Sequence, residues 1–500
     1  MVKRFTKKSE WHRGGIKMVK TYNKWRIFTI FLMVLLVLET ALIIVLPRIN
    51  KEEEINIQLT PATIRGKVLT DLGEMLLANI IVEDSKGATS LYTTNFLSGY
   101  EIELAEGEYT LHYTRGMQYS TVTKTIKVEN FKNYYLEDIR LIELYNAESK
   151  NFYAGDLHQH TLFSDGTHNV EQLIRADIAA GLSWAVLSDH NDNTGISEWM
   201  QADRVPYDIV DGEYVFFTPL PGVEITTGYG HFQSIGNSAV VEQWDIDLDL
   251  GENPYDEVEI IVQEIARNGG IPQLNHPYST GGMGFNNYNN LWDLIGYFET
   301  IEIWNGYFEP CGYIPPEGVL NQNRKTMLKW FELLNEGHKL FATGGTDLHS
   351  YNGPYNPALY LGESKAYEKL LKKTGQYAGM PTTFAYSPTR INAERILEAV
   401  RNGNTFISNG PLVFADIKGK TYGNTVSKDE TSVNIELFCR DGLKTLNIYK
   451  NGIQMKTFDL SGNSYQNVIE LNGMAKGDWI VFEVYGTGVY YAITNPIFFT

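Results

Sequence analysis

The pattern of apolar and polar positions divides the chain into four stretches of different character. Residues 27–47 form a continuous apolar run, which is typical of a membrane-spanning helix. Residues 55–148 alternate apolar and polar side chains and are rich in β-branched and aromatic types, which predicts a small β-sandwich. From 150 to 410 apolar strands alternate with amphipathic helices, and from 411 to 500 the two-residue alternation returns. The last stretch therefore predicts a second β-sandwich.

The 150–410 stretch repeats a strand–helix unit. Helices are predicted at 170–180, 256–267, 322–335 and 391–401, and strands at 184–188, 271–274, 300–304 and 339–343. Asn169 and Gln172 form a candidate capping pair at the start of the first helix. Gly181, Gly269 and Gly337 follow three of the helices, where a helix C-cap is expected. Repeated units of this kind predict an α/β fold with a parallel sheet or barrel.

Charge is distributed unevenly around the apolar run. Residues 1–26 contain nine Lys or Arg residues and one acid, so this tail carries +8, whereas residues 49–500 carry −26 and the whole chain −18. At about 1.5 Å per helical residue, the run spans roughly 30 Å, the thickness of the hydrocarbon core. The basic flank before the run and the net acidic segment KEEE at 51–54 after it predict a single-pass membrane anchor at 27–47, with a cytoplasmic N-terminus and an extracellular body. The alternative is a cleaved signal peptide, but the run exceeds the usual apolar core of about 7–15 residues and lacks a small-x-small cleavage site.

Composition narrows the class of protein. The 500 residues are 43% hydrophobic and 20% charged, as in globular chains and unlike disordered ones. Two cysteines, Cys311 and Cys439, exclude a disulfide scaffold and a cysteine-rich zinc module, and the sequence leaves open whether they pair. An acidic body without a basic stripe disfavours nucleic acid as a partner. A small molecule is therefore the expected substrate, and protein partners are left open.

Histidine and acidic residues recur in order near predicted strand ends. The motifs are Asp156-Leu157-His158-Gln159-His160, Ser164-Asp165-Gly166, Ser188-Asp189-His190-Asn191, Gly222-Val223-Glu224-Ile225, His231, Asn275-His276-Pro277 and Gly345-Thr346-Asp347-Leu348-His349. Side chains two apart on a strand leave the same face, so His158 and His160 project together, as do Asp347 and His349. Six imidazoles and three carboxylates without thiolates suit Zn²⁺, Mn²⁺ or Fe²⁺. These nine ligands are too many for one ion and suffice for two or three if Glu224 bridges.

The ordered motifs resemble the PHP family, named for its polymerase and histidinol phosphatase domains, over about 150–410. The segments IEIWNG at 301–306, LEAVRNGNTFISNGP at 397–411 and YAITNPI at 491–497 resemble the CehA/McbA-like subgroup of PHP metallohydrolases. The resemblance implies a distorted (β/α)7 barrel, flanked here by the two β-sandwiches and preceded by the transmembrane helix. It also implies up to three divalent metal ions at the C-terminal ends of the strands.

The resemblance further assigns ligands to each ion. His158, His160, Glu224 and Asp347 would hold the first ion, Glu224, His231 and His276 the second, and Asp165, His190 and His349 the third. Of these, Glu224, Asp347 and His276 are the expected catalytic residues. Asp189 is interpreted as a group that orients a neighbouring histidine. Asn305 and Asn352 are candidate amides lining the site.

Three functions fit this ligand set. The first is hydrolysis of a phosphate ester by a water that the metals activate, the chemistry that the PHP resemblance implies most directly. The second is hydrolysis of a carbamate, ester or amide, as the CehA-type resemblance implies. The third is a surface-displayed binding module in which the metals are structural and the β-sandwiches recognise a partner.

Overall fold

Strands dominate the computed structural model of the chain. It describes residues 61–210, 212–241, 254–279, 284–287, 291–306, 311, 321–350 and 378–500, and residues 61–500 belong to one compact unit. The predicted tail at 1–26 and the predicted anchor at 27–47 lie outside these described residues. No helix in the described part of the chain is long and apolar enough to cross a bilayer.

The first described segment forms two small β-sheets around a shared core. Its strands are β1 (Ala62–Gly66), β2 (Val68–Leu69), β3 (Asn79–Asp84), β4 (Thr89–Thr93), β5 (Tyr100–Leu104), β6 (Gly107–Thr114), β7 (Val122–Val128), β8 (Asn133–Tyr135) and β9 (Ile139–Arg140). Strands β4-β3-β6-β7 form one sheet, β5-β1-β8 form another, and β2 pairs with β9. Ile64, Ile80, Ile102 and Leu111 come from both sheets and share one buried cluster. The predicted alternation thus buries one face of each sheet.

The central region contains the predicted strand–helix units. Its elements are β10 (Phe152–Asp156), α1 (Val170–Ala179), β11 (Trp184–Val186), α2 (Ile196–Trp199), β12 (Pro206–Val210), β13 (Glu213–Phe216), β14 (Thr218–Leu220), β15 (Gly222–Thr227), β16 (Gly230–Ile235), α3 (Pro254–Arg267), β17 (Ile271–Asn275), β18 (Thr300–Asn305), α4 (Gln322–Asn335), β19 (Phe341–Gly345), β20 (Thr382–Tyr386), α5 (Ala393–Arg401) and β21 (Thr405–Ser408). Short 3₁₀ helices lie at Ala147–Lys150, Met200–Arg204, Phe285–Asn287 and Leu291–Tyr297.

The sequence signals for helix ends are confirmed. Asn169 and Gln172 make a reciprocal capping box at the start of α1, each side chain bonding the other's backbone N–H. Gly181, Gly269 and Gly337 follow α1, α3 and α4 with φ of 84°, 82° and 93°, the left-handed region that glycine adopts without strain. These stops direct each helix back towards the next strand.

The central strands form two larger sheets and the separate hairpin β12-β13, so the α/β expectation is confirmed, while no closed barrel is seen among the described residues. One sheet has the order β15-β16-β17-β18-β19, and the other contains β14-β11-β10-β20-β21. The chain changes sheet between β14 and β15 at Pro221, which has no backbone N–H for a ladder. Isolated bridges join the sheets where Gln159 pairs with Leu348 and His190 pairs with Glu224. These bridges bring the carboxyl ends of β10, β11 and β19 together.

The C-terminal strands continue one of these sheets. They are β22 (Leu412–Asp416), β23 (Thr425–Val426), β24 (Ser432–Phe438), β25 (Leu443–Lys450), β26 (Ile453–Asp459), β27 (Ser464–Glu470), β28 (Trp479–Gly486), β29 (Tyr491–Thr494) and β30 (Ile497–Phe499). Strand β21 pairs with β29, which extends the central sheet through β28, β25 and β26, and β22-β24-β27 form a separate sheet. The predicted domain boundary at 410/411 falls between β21 and β22. Cys311 and Cys439 are both buried and unpaired.

Candidate metal centre

The predicted ligands converge where strands of the two sheets end. His158 and His160 follow β10, and His190 follows β11. Glu224 lies in β15 and His231 in β16, and these antiparallel strands bring the two side chains to the same end of the hairpin. His276 follows β17, and Asp347 and His349 follow β19. Residues far apart in the chain therefore meet because parallel strands share a carboxyl edge.

Two of these positions have an unusual backbone. His276 and Asp347 have φ of 23° and 50°, the left-handed region that non-glycine residues rarely adopt. Each residue comes directly after or soon after a buried strand, so the left-handed turn aims its side chain inward. Strained backbone of this kind tends to occur at functional sites.

Glu224 is the centre of the cluster. Its side chain is fully buried, and its Oε2 lies 3.1 Å from His158 Nε2, 3.4 Å from His160 Nε2 and 3.0 Å from His190 Nδ1. The other oxygen, Oε1, lies 3.1 Å from His231 Nδ1 and 3.2 Å from His276 Nε2. One carboxylate thus faces histidines on two sides, the geometry that a bridging ligand requires.

Asp347 and Asp165 complete the cluster on its more exposed side. Asp347 Oδ1 lies 2.9 Å from His160 Nε2 and 3.4 Å from His158 Nε2. Asp165 Oδ1 lies 3.0 Å from His349 Nε2 and 3.6 Å from His190 Nε2. The Asp165 side chain is 59% exposed, so this edge of the cluster opens to solvent. A substrate can therefore approach from the side of Asp165.

The possible ligand atoms fall into groups, one of which equals the set expected for the first ion and another of which contains the set expected for the third ion together with His160. His158, His160, Glu224 and Asp347 form one group with all ligand atoms within 4.8 Å of one another, and His160, Asp165, His190 and His349 form another. The second expected set differs. Glu224 and His231 group with His190, whereas His276 groups with His158 and Glu302. His276 nevertheless remains within contact distance of Glu224, so all nine predicted residues lie in one assembly.

The sequence interpretation missed Glu302. Its side chain is fully buried, its Oε1 lies 3.0 Å from His158 Nδ1, and its Oε2 accepts a hydrogen bond from the backbone N–H of His276. Asn305 links the same carboxylate to Asp347, since its Nδ2 lies 3.2 Å from Glu302 Oε2 and 3.0 Å from Asp347 Oδ2. Asn305 was a predicted site-lining amide, whereas Asn352 lies outside the described residues. The strand sequence IEIW gave no sign that its acid faces a histidine.

The pair formed by His158 and Glu224 is suited to holding a cation. If His158 donates its Nδ1 proton to Glu302, its Nε2 carries only a lone pair, and this nitrogen faces Glu224 Oε2 at 3.1 Å. Neither atom has a hydrogen-bond partner among the described residues, although both are buried. Two buried electron-pair donors at this distance repel each other unless a cation lies between them. The donor set therefore fits a divalent metal ion.

Close backbone packing sets the position of His158. A Cβ added to Gly345 would lie 2.4 Å from Cβ of His158 and 2.9 Å from Oε1 of Glu302. Only glycine can therefore occupy this position without displacing the histidine or its carboxylate partner.

Asp189 has a different role from the one predicted. Its carboxylate accepts hydrogen bonds from Thr161 N at 2.6 Å, Thr161 Oγ1 at 2.7 Å and Ser164 Oγ at 2.7 Å. It therefore fixes the loop that presents Asp165 and does not bond a histidine ring. His190 Nδ1 lies instead 2.5 Å from the hydroxyl oxygen of Thr226.

The pKa values of the ionisable groups in the cluster are shifted in different directions. Burial opposes the charge on Glu224, but the surrounding histidines, His158 foremost, hold its pKa well below the ordinary value. Burial lowers the pKa of His160 to about 3. Burial also opposes protonation of His349, but Asp165 and Asp347 raise its pKa to about 9. The Glu224 carboxylate is thus ionised and the buried His160 imidazole is neutral, which are the protonation states that bind metal, whereas the nearby carboxylates favour a protonated His349.

Comparisons with known proteins gave partial matches. No family model matches the chain. A 96-residue segment is 29% identical to the DNA polymerase/3'-5' exonuclease PolX of Bacillus subtilis, and the match covers 18% of this chain and 16% of that protein. The chain thus spans about a sixth of the curated relative that it matches.

Two solved structures match larger parts of the chain. One is a two-domain protein from Bacteroides vulgatus described as containing a predicted PHP-like metal-dependent phosphoesterase. It is 19% identical with a TM-score of 0.34, and the match covers 69% of this chain and 95% of that one. The other is an amidohydrolase from Chromobacterium violaceum, 18% identical with a TM-score of 0.27, with 39% and 87% covered.

Proposed function

We propose that the chain is a metal-dependent hydrolase of the PHP type that binds two or three divalent ions and cleaves a small substrate, with phosphate esters as the favoured class. The observation that carries this proposal is the buried contact between His158 Nε2 and Glu224 Oε2, two atoms that have no hydrogen-bond partner among the described residues and together suit a divalent ion. Zn²⁺, Mn²⁺ and Fe²⁺ suit the nitrogen and oxygen donors. The finer likeness to CehA/McbA-type enzymes belongs to the same proposal.

The side chains divide the work of such a site. Glu224 faces five histidines with its two oxygens and would bridge two ions, while His158, His160 and Asp347 would hold one of them. Bound ions would lower the pKa of a water molecule and polarise the scissile group. Asp347 and His276 are the proposed catalytic partners of Glu224, because each contacts the same central region from a different strand end. The exposed Asp165 edge admits the substrate.

Phosphate and carboxyl chemistry would use the same ligands. The body of the chain is acidic, so an anionic phosphate substrate would be attracted by the positive charge that the ions bring to the cluster. A carbamate, ester or amide substrate needs the same activated water and has no such need for local positive charge. The ligands therefore do not distinguish the two substrate classes, and an assay of which substrates are hydrolysed is needed to separate them.

A substrate panel tests the proposal. The purified full chain is loaded with Mn²⁺ or Zn²⁺ and assayed with an aryl phosphate, a phosphodiester, an aryl ester and an aryl carbamate. Metal-dependent turnover of phosphates alone is expected, and turnover of carboxyl substrates alone would assign the CehA-type activity. His160→Ala should abolish turnover. His112→Ala is the control and should leave turnover unchanged, because His112 lies in β6 of the first segment, where its ring is hydrogen-bonded to Thr123 of β7. Metal binding with no turnover of any substrate would favour a binding module.

The location of the protein is part of the proposal. The basic tail at 1–26 and the apolar run at 27–47 support a single-pass membrane protein with its hydrolase region outside the cell. Protease added to intact cells should then remove the hydrolase region, while an epitope placed on the tail stays protected. Protection of the hydrolase region as well as the tail epitope would contradict this orientation.

A further inference from the structure

A buried acid and a buried amide lie behind the metal centre. Asp177 on α1 and Gln159 after β10 have no exposed surface, and Gln159 Nε2 donates a hydrogen bond of 2.8 Å to Asp177 Oδ1. The two remaining atoms of these groups, Asp177 Oδ2 and Gln159 Oε1, have no hydrogen-bond partner in the part of the chain that the structure describes. Both are acceptors if the acid is ionised, so each would then lack a donor at a substantial energetic cost.

A neighbouring acid shows the contrast. Asp156 is also fully buried, but its carboxylate receives hydrogen bonds from His158 N, from Thr346 N and from the Thr346 hydroxyl. Three donors stabilise a negative charge on Asp156. Asp177 receives only one donor and lies within the field of Asp156. Burial raises the pKa of both acids, but Asp177 has fewer donors than Asp156 to oppose the rise.

We propose that Asp177 is protonated and forms a cyclic acid–amide pair with Gln159, in which Asp177 Oδ2–H donates to Gln159 Oε1 while Gln159 Nε2–H donates to Asp177 Oδ1. A single proton then satisfies both unpartnered atoms. The pair makes Asp177 a positioning residue for the metal centre, a role that rests on the proposed function because Gln159 separates the expected ligands His158 and His160.

The surrounding contacts show what the pair would hold. The backbone of Gln159 is bonded on both sides by Ser188, whose Oγ accepts from Gln159 N and whose N–H donates to Gln159 O. The side chain of Gln159 is bonded by Asp177 from α1. Gln159 is therefore fixed by the segment after β11 and by α1 together, and this fixes the spacing of the two flanking histidines.

Electrostatics agree with this arrangement. Burial, and then the charge of Asp156, raise the pKa of Asp177 well above its ordinary value, and the single hydrogen bond from Gln159 opposes the change only in part. Asp156 is the charged group that acts on Asp177. A carboxyl with a raised folded pKa keeps its proton in the folded chain after the unfolded chain has released it. Its stabilising effect is therefore present at low pH and is lost as pH rises towards the folded pKa.

The test compares Asp177→Asn with the wild type in the full chain. Asparagine preserves both hydrogen bonds of the pair and does not titrate. Denaturant unfolding is measured from pH 5 to pH 8, where other groups titrate alike in both proteins and cancel in the comparison. The unfolding equilibrium constant of the wild type relative to the variant should rise about tenfold per pH unit until the folded pKa is reached. Glu171→Gln, which removes an exposed acid from α1, should show no such trend.

A second measurement tests positioning. Mn²⁺ affinity is determined for Asp177→Asn and Asp177→Ala, and only the alanine variant, which cannot pair with Gln159, should bind at least about tenfold more weakly. A constant stability difference between wild type and Asp177→Asn across the pH range would overturn the proton assignment. Equal Mn²⁺ affinities in both variants would overturn the positioning role. Neither measurement needs a substrate, so the pH series still decides the proton if no metal binds or no hydrolysis is found.

Discussion

Glu302 Oε1 lies 3.0 Å from Nδ1 of His158, with both side chains fully buried. Its second oxygen accepts from the backbone N–H of His276, so one carboxylate orients two expected ligands from neighbouring strands. A carboxylate that accepts from the far nitrogen of a histidine fixes the tautomer and makes the facing nitrogen a better metal ligand. Glu302 is therefore central to the metal centre although it need not touch an ion.

Glu302→Gln should weaken binding of Mn²⁺ by about 10- to 100-fold, because the neutral amide no longer favours the Nδ1 proton of His158. Competition with a chelating dye measures the change. Glu299→Gln, which alters a partly exposed acid paired with Arg401, is the matched control and should bind like the wild type. Unchanged affinity in Glu302→Gln would show that His158 is oriented by other contacts.

Gly345→Ala should also weaken the metal centre. The added methyl group would lie 2.4 Å from Cβ of His158, so the histidine must shift. Because His158 is an expected ligand, this shift should lower Mn²⁺ affinity at least about tenfold. Thermal stability should also fall, because overpacking costs about 1–3 kcal/mol. Gly296→Ala is the control, since its added methyl group would meet no atom within 4 Å. Equal Mn²⁺ affinity and equal thermal stability in the two variants would contradict the close packing around His158.

Asp189→Asn should disturb one ion selectively. The substitution removes the negative charge of the carboxylate that accepts hydrogen bonds from Thr161 and Ser164. The loop that carries Asp165 is then held less firmly. We expect loss of up to one bound ion per chain, while the ions held by Glu224 remain. Metal content by elemental analysis measures this, and Asp192→Asn serves as control because the hydrogen bonds that Asp192 accepts among the described residues come from Thr194 in its own turn. Loss of all ions would mean that Asp189 supports the whole centre.

The junction of the first segment with the central region should respond to pH. Burial raises the pKa of Glu148 to about 7, and Asp208 adds to this, although the hydroxyl of Tyr207 donates to the carboxylate and opposes it. Because the folded pKa exceeds the unfolded value, the contribution of Glu148 to stability falls as pH rises from about 4.5 to about 7. The loss is at most about 3 kcal/mol.

Glu148→Gln should remove this pH dependence. Denaturant unfolding between pH 5 and pH 8 should show the variant gaining stability relative to the wild type as pH rises. Glu108→Gln, at an exposed position in β6, should run parallel to the wild type. A parallel curve for Glu148→Gln as well would show that its carboxyl is ionised in the folded chain.

The sequence was informative where chemistry needs particular residue types in order. The histidines and acids of the centre could be selected because they follow apolar strands, and parallel strands bring such positions together. Helix caps such as Asn169 with Gln172 were equally predictable, because capping depends on local hydrogen bonds.

Long-range packing could not be predicted from local pattern. Glu302 lies within a buried strand, and its partner His158 is far away in sequence, so no spacing rule identifies the pair. Asp189 was assigned to a histidine because it precedes one, whereas its actual partners come from the loop after His160. The strand–helix repeats predict a parallel sheet or barrel, and the PHP resemblance implies a distorted barrel, whereas Pro221 and the antiparallel strands β16 and β20 divide the described central strands between two larger sheets.

The most direct test of the account is the metal content of the full chain after chelation, reloading with Mn²⁺ and removal of free ion. Two or three ions per wild-type chain are expected. No more than one ion is expected in Glu224→Gln, because Glu224 faces five histidines and would bridge the ions. A wild-type chain that retains no ion, or a Glu224→Gln variant that retains the full complement, would contradict the central claim.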